Sequence, residues 1–453
     1  MAEHGIEVCC RVKPDSSQRC VLKHNIRNGK HIATLLSNNG PDKEASTGGF
    51  EFGFHQILSD TCSQEEAFQK LAVETVDSVL GGFNGTIMAY GQTGAGKSYT
   101  ITGGEGAAYD QRGIAARAIA HVFAGARRRP DADVRVALSF LEIYNEQMTD
   151  LLNLGNAGGE GDPGGTRRRD QPAFYMGQPV GPAKAAGMNL SVVEEPGGGT
   201  QVRNLTLAPV AGPEEALGLL FEAQTNRIIA SHRLNAQSSR SHLVFTLHVT
   251  SRPQGIQGSE STYSKLNLVD LAGSERIFET NSSGILQKEA SYINKSLTFL
   301  EQVVLALTDS QRAHVPYRQS KLTHVLKDSL GGNCRTTLCA CVWPNPEHYH
   351  QTLSTLKFAA RMAQIRNQPI KNVGGARETS QANIKLQRQV KELKEELALY
   401  DALSGRDVAS WLPGGGGGGG GAAARHRDRF ARMGLQLQER AAALRPPPPP
   451  PTG

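Results

Sequence analysis

The stretch Ala89 to Gly104, AYGQTGAGKSYTITGG, decides the fold. Its centre, Gly91-Gln92-Thr93-Gly94-Ala95-Gly96-Lys97-Ser98, fits G-x-x-x-x-G-K-[ST] at every fixed position, and the apolar run Thr86 to Tyr90 before it reads as a buried strand. Strand, glycine-rich turn and helix start, in that order, make a phosphate-binding loop. Glycines let the backbone N–H groups curl inward towards phosphate oxygens, and the positive end of the following helix adds to that field. Lys97 is placed to reach the β- and γ-phosphates of a nucleotide, and Ser98 to offer its hydroxyl to Mg²⁺.

Composition sets wide bounds around that loop. With 453 residues, 38% hydrophobic and 20% charged, most of the chain can bury a core, and length alone suggests about three domains. A formal net charge of +6 fits an acidic partner, a polymer surface or a nucleic acid. The seven cysteines are odd in number and contain no C-x-x-C pair, which argues against a disulfide framework or a zinc ribbon. Cys339 and Cys341 alternate in an apolar run and read as strand packing. No apolar stretch approaches the roughly 18 residues of a membrane span, and the opening MAEHGIEVCCRVKPD lacks a signal-peptide core. A reduced, cytosolic protein with no membrane role is expected.

From Gly5 to Ala363 apolar strand-like runs alternate with amphipathic helical ones. Strands are expected at Ile6 to Val12, Val134 to Ile143, Leu243 to Val249, Lys265 to Asp270 and Thr337 to Val342. Helices are expected at Glu65 to Leu80, Pro213 to Ala230, Leu286 to Leu307 and Thr352 to Ala363. The alternation argues an α/β domain with a central sheet covered by helices. Residues 153–187, rich in Gly, Pro and Ala and carrying Arg167-Arg168-Arg169, read as a disordered surface insertion. Within 376–405, Leu386, Val390, Leu393, Leu397 and Tyr400 form a heptad seam, a short helix or coiled coil. The tail 406–453 holds eight glycines (Gly414 to Gly421) and six prolines (Pro446 to Pro451) and cannot pack a core.

Two further motifs follow the loop in chain order. Asn235-Ala236-Gln237-Ser238-Ser239-Arg240-Ser241-His242 clusters hydroxyls with a fork-shaped cation, groups suited to a γ-phosphate, its Mg²⁺ and a nearby carboxylate. Taken alone it could be a capped helix end. Leu266-Asn267-Leu268-Val269-Asp270-Leu271-Ala272-Gly273-Ser274-Glu275 is a buried strand that ends in an acid. Asp270 can hold the Mg²⁺ shell from the strand's carboxyl end, and the Gly273 N–H is free to approach the γ-phosphate.

Together the three blocks resemble the kinesin motor domain. The resemblance extends to Arg11-Val12-Lys13-Pro14 and to HVPYRQSKLTHVLKDSLGGNCRTT, His314 to Thr337, and covers 1–363. It implies one P-loop NTPase domain of α/β class, a kinesin motor fold whose central mixed β-sheet is flanked by helices on both faces, and so overrules the length-based domain number. ATP with Mg²⁺ is the implied ligand, since no N-K-x-D guanine signature is present. By the resemblance, Gln92, Thr93, Gly94, Ala95, Gly96, Lys97, Ser98 and Ser238 bind the nucleotide, and Arg11 and Pro14 flank the adenine with Tyr99. Ser98 and Ser239 hold the metal, with Asp270 acting through water. The catalytic group is Ser239, Arg240, Gly273 and Glu275, in which Arg240 and Glu275 form an ion bridge over the phosphates and organise the attacking water. When γ-phosphate is present, Ser239 and Gly273 can both bind it and draw the two switch loops together.

The same resemblance implies a microtubule-facing surface on the helix after Gly284, with Arg203, Arg318, Lys321 and Lys327 as contacts through salt-screened attraction. The loop Arg276 to Gly284 carries Glu279 and no cation beyond Arg276, which points to weaker tethering there. Residues 364–375 take the neck-linker position of a plus-end-directed motor, with Ile365 and Asn372 placed to dock. The spacing from Ala223 to His242 and the segment Lys394 to Arg406 look most like the kinesin-9 class of motile cilia and flagella. The expected activity is therefore a microtubule-stimulated ATPase, an ATP hydrolase working in the cytoplasm on the cytoskeleton, with the cilium or flagellum axoneme as its site. Tubulin is the partner, nucleic acid is not, and this chain is expected to be monomeric. The alternatives are a non-motile structural microtubule linker in the axoneme and a microtubule-end depolymerase. Retention of Lys97, Ser98, Ser239, Arg240, Asp270 and Glu275 disfavours the first, and the absence of a basic neck before the domain disfavours the second.

Overall fold

The computed structural model describes residues 4–373 apart from 16–19, 37–48, 105–107, 154–172, 176–177, 181–188, 196–198, 234–237, 255–259, 276–284, 310 and 313. The heptad seam, the tail and the loop 276–284 lie outside the described residues. Strands Ala208–Val210, Ala132–Tyr144, His242–Pro253, Thr262–Asp270, Gly85–Tyr90, Arg335–Val342, Glu7–Val12 and Gln56–Leu58 lie in that order in one nine-stranded sheet, with Gln147–Asp150 paired to Ala132–Tyr144. The sheet is mixed. Thr262–Asp270 runs parallel to Gly85–Tyr90, whose other neighbour Arg335–Val342 is parallel too, while His242–Pro253 is antiparallel to both of its neighbours.

Period-two alternation sends the central strands' side chains into two separate cores. Ile87, Ala89, Leu266, Leu268, Cys339 and Cys341 face the first, under helices Gln64–Leu71, Val73–Leu80, Ile114–Arg127 and Pro213–Arg233. Met88, Tyr90, Val269, Leu338, Ala340 and Val342 face the second, under helices Ile285–Thr308, Lys321–Val325 and Tyr349–Met362. Tyr90 stacks on Phe358 at 4.0 Å between ring centroids in the second core, and Phe140 on Phe245 at 4.6 Å in the first. All seven cysteines are free.

Every strand expected from the sequence is present, most of them longer at one or both ends. The helix expected over Glu65 to Leu80 divides at Ala72, whose φ of −123° leaves the helical range. Its first half is opened by a capping box: Ser63 Oγ accepts from Glu66 N–H, and Glu66 Oε2 accepts from Ser63 N–H. In the segment read as a disordered insertion, Ala173–Tyr175 pairs with Gln178–Val180, so its aromatic stretch carries strand. A three-stranded meander, Leu22–Arg27, Lys30–Leu36 and Gly49–Phe54, covers the second core.

The last described segment lies along the domain. Ile365 is buried, its carbonyl accepts from Ile6 N–H, and Arg366–Asn367 pairs antiparallel with His4–Gly5. Gln368 N–H donates to Gly332 O, and Asn372 N–H donates to Gly82 O at 2.9 Å. The Asn372 side chain bonds Asn84 and Asn333 at 3.0 Å each. These contacts hold residues 365–373 against the N-terminal ends of the central strands Gly85–Tyr90, Arg335–Val342 and Thr262–Asp270, whereas the phosphate loop lies at the other end of Gly85–Tyr90.

Candidate nucleotide site and track-facing surface

The phosphate loop leaves the strand Gly85–Tyr90 and enters the helix Lys97–Ile101. At Gly91, with φ +148°, a Cβ would collide with the Cys341 carbonyl oxygen, and Gly96 caps the helix at φ +99°. Gly91 leaves no room for a side chain, and at Gly96 the positive φ alone would strain any other residue. Lys97, 7% exposed, donates from Nζ to Gln92 O at 2.8 Å. Burial lowers its pKa, opposed by the negative charges of Asp270 and Glu275.

Parallel pairing of Asp270 with Ala89 brings the strand-end acid beside the loop. Ser98 Oγ donates to Asp270 Oδ2 at 2.7 Å, while Oδ1 is buried with no hydrogen-bond partner among the described residues. A buried, unsatisfied carboxylate oxygen next to a hydroxyl suits a hard cation and its water, so these residues fit Mg²⁺. The second switch segment crosses the loop: Ser274 N–H donates to Gly91 O at 3.1 Å, and Gly273 N–H to Ser239 O at 2.9 Å. Both carboxylate oxygens of Glu275 are held by Thr93, through its N–H at 2.8 Å and its hydroxyl. Ser238, Ser239 and Arg240 form one 3₁₀ turn.

Behind Asp270 stands a buried network that the sequence reading did not single out. Arg227, from the helix Pro213–Arg233, reaches Asp270 Oδ2 at 3.3 Å and Glu142 Oε1 at 3.5 Å, and donates to Ser241 O at 3.2 Å. Ser241 Oγ in turn donates to Glu142 at 2.6 Å. His242 Nδ1 accepts from Ala272 N–H at 3.0 Å, which places its proton on Nε2, 2.8 Å from Ser296 Oγ. Burial, with Arg227 and Lys97 nearby, pushes the His242 pKa down to about 3. The arginine was legible only as part of NRIIASHRLNAQSSRSH, and no local spacing announces its partners, which lie on other strands.

Among the residues expected to flank the base, Tyr99 and Pro14 are exposed, while Arg11 is only 7% exposed. The Arg11 guanidinium lies 5.2 Å from the Tyr99 ring centroid and donates to Gln64 Oε1 and Thr100 Oγ1, both at 3.0 Å. Gln64 Nε2 donates to Tyr99 O at 2.6 Å, and Tyr99 Oη to Gln111 Oε1 at 2.9 Å. Arg11 thus fixes the tyrosine from beneath, a supporting task that the sequence reading did not give it.

The four cations expected to face the track share one side of the domain. Arg203 ends the hairpin Ser191–Glu194 with Thr200–Arg203 and is exposed. Arg318 and Lys327 both close on Glu194, at 2.9 Å and 2.8 Å, with His324 at 3.4 Å. The hydrogen bonds from Lys327 and Arg318 hold the Glu194 carboxyl at about 2. Lys321 is half-buried, and its backbone N–H donates to Glu146 Oε2 at 2.7 Å.

A phosphate loop on a mixed sheet, with a serine–aspartate pair and the segment after Asp270 closing on it, defines a P-loop nucleoside triphosphatase. The kinesin motor-domain profile matches residues 11–365, and the chain belongs to the kinesin family. It is 42% identical over 414 residues to kinesin-like protein KLP1 of Chlamydomonas reinhardtii, covering 91% of this chain and 49% of that one. With kinesin-like protein KIF9 of Mus musculus it shares 43% identity over 351 residues, 78% of this chain and 41% of the relative. The chain therefore spans about half the length of these curated relatives or less. A solved structure of a fast kinesin, described for its ATPase mechanism and its interactions with microtubules, superposes with a TM-score of 0.67 at 33% identity, over 82% of this chain and 94% of that one. Kinesin motor domains are microtubule-stimulated ATP hydrolases, and the two named relatives accord with the resemblance to the kinesin-9 class.

Proposed function

We propose that this chain is an ATP-driven microtubule motor that directs force towards the plus end and works in cilia or flagella. The observation that carries the reading is the way the segment Asp270 to Glu275 joins the phosphate loop to the Ser238–Arg240 turn: Ser98 on Asp270, Glu275 on Thr93 and Gly273 on Ser239. Bound Mg²⁺ would neutralise phosphate charge, with Ser98 and Ser239 as ligands and Asp270 acting through water. Lys97 meets charge already present on ATP, Tyr99 and Pro14 flank the base, and Arg240 and Glu275 position the attacking water. Arg203, Arg318, Lys321 and Lys327 face tubulin. The docked Ile365–Val373 segment supports the plus-end assignment, because a chain leaving along the core carries its load in a defined direction. The ciliary assignment rests on the resemblance to the kinesin-9 class.

Gliding of polarity-marked microtubules over the immobilised 453-residue chain tests the reading. Movement with ATP, minus end leading, is expected. Microtubule binding without movement or ATP turnover would favour the structural linker. The chain is expected to sediment as a monomer at micromolar concentration, since a two-heptad seam offers little free energy against the entropy of pairing.

A further inference from the structure

Glu275 is gripped in a way that hydrolysis alone does not demand. Thr93 N–H donates to Oε2 at 2.8 Å and the Thr93 hydroxyl donates to Oε1, so one phosphate-loop residue engages the whole carboxylate. The carboxylate is also near enough to Lys97 to favour its charged form. Gly273 makes the approach feasible, because a Cβ there would strike the Thr93 hydroxyl and both Glu275 oxygens. An anion held by a loop N–H and a hydroxyl beside a lysine stands where such a loop ordinarily holds phosphate.

We infer that Glu275 is a phosphate surrogate, competing with the terminal phosphate of a nucleoside triphosphate for Thr93 and so separating triphosphate from diphosphate. The inference rests on the nucleotide-site reading above. A γ-phosphate brings more negative charge to the same donors and displaces the carboxylate, which is then free to pair with Arg240 and orient water. A diphosphate ends short of Thr93 and leaves Glu275 in place. The catalytic carboxylate is thereby released only when there is a phosphate to cleave. The cost is weaker triphosphate binding than the loop could achieve without the surrogate.

The test is the affinity of the full 453-residue chain for ADP and for the non-hydrolysable ATP analogue AMPPNP, both with Mg²⁺. Arg240→Ala is compared with Arg240→Ala/Glu275→Ala, because in that background Glu275 has no arginine bridge to lose. Removing Glu275 should tighten AMPPNP binding about tenfold, the scale of one charge-assisted hydrogen bond, and leave ADP within about twofold. Thr93→Ser, which keeps both donors, should hold the wild-type ratio. Equal or weaker AMPPNP binding in the double variant, with ADP binding intact, overturns the surrogate. So does loss of ADP binding in the double variant, since Glu275 would then be shaping the loop. A wild-type chain that binds neither nucleotide overturns the nucleotide-site reading itself.

Discussion

Replacing Asn367 by Ala should cost about 3 kcal/mol of folding stability, although the residue lies beyond the last helix and far from the nucleotide. Asn367 is 1% exposed. Its Nδ2 donates to Ser329 O at 3.0 Å, Cys334 O at 2.8 Å and Thr336 Oγ1 at 3.0 Å, and its Oδ1 accepts from Gly331 N–H at 2.7 Å. Alanine removes all four contacts, but the damage is unequal. Ser329 O keeps the Thr336 hydroxyl at 2.7 Å, whereas Gly331 N–H and Cys334 O lose the amide that served them. The stranded, buried Cys334 carbonyl at about 1 to 3 kcal/mol, with the lost hydrogen bond of the exposed Gly331 at about 0.5 to 1.5 kcal/mol, gives the figure. Urea unfolding of the variant and the wild type, with equal m-values, measures it. Asn367→Asp should be no better, since it keeps the acceptor for Gly331 and turns an anion towards two carbonyls. A loss below about 1 kcal/mol in Asn367→Ala would refute the reasoning, and would mean that water enters and satisfies both groups.

Lys97→Ala should abolish binding of fluorescent ADP without unfolding the chain, as read by equilibrium titration and circular dichroism. Arg318→Ala with Lys321→Ala should raise the microtubule concentration for half-maximal ATPase a few-fold, in keeping with exposed pairs worth about 0.2 to 1 kcal/mol each. Glu194→Gln should move that concentration the other way, because it releases Arg318 and Lys327 from their carboxylate, and the change should fade with added salt. His242 is neutral in the fold with a pKa near 3 against 6.5 for an ordinary histidine, so the unfolded chain binds the proton that the folded one refuses. Its contribution is fully present above pH 6.5 and is lost as pH falls towards 3, at up to about 1.4 kcal/mol per pH unit. Denaturant unfolding between pH 6.5 and 5 should show a shallower slope in His242→Asn than in the wild type, the difference being this residue's share, since His248, pushed down to about 3 by burial, contributes a slope of the same sign to both.

The central sheet was legible because its strands are continuous apolar runs, and a parallel strand buried on both faces has little else it can be. The phosphate loop was legible because its glycines sit where side chains cannot: Gly91 meets the Cys341 carbonyl. The edge elements were not. Leu22–Arg27 has five exposed residues after Leu22, and Gln56–Leu58 is three residues long, so neither carries a period long enough to read. Helix Ile114–Arg127 escaped because alanine and glycine fill much of it, which blurs its apolar stripe. Within the site, residues expected to touch phosphate or metal fall in short motifs, and those that hold them do not. Arg227 and Glu142 are 85 positions apart in the chain and meet only because neighbouring elements bring them together. Glu275 was singled out from its motif, yet its seat on Thr93 depends on the path taken through Gly273, which composition cannot supply.

The same second layer joins the segment beside the phosphate loop to the helix Ile285–Thr308. Ala272, next to Gly273, donates its N–H to His242 Nδ1, and His242 Nε2 meets Ser296 on the helix Ile285–Thr308. With one proton and two partners, a neutral ring held in this orientation serves both only while Ala272 and the helix keep their spacing. If γ-phosphate draws Gly273 towards itself, either the ring follows and loses Ser296, or it stays and loses Ala272. A fully buried imidazole cannot recover the lost partner from water, so each arrangement is a distinct state and not a point on a continuum. The depressed pKa of His242 belongs to the same design. A protonated ring could donate from both nitrogens and would no longer accept from Ala272, so excluding the proton keeps the switch segment tied to the helix.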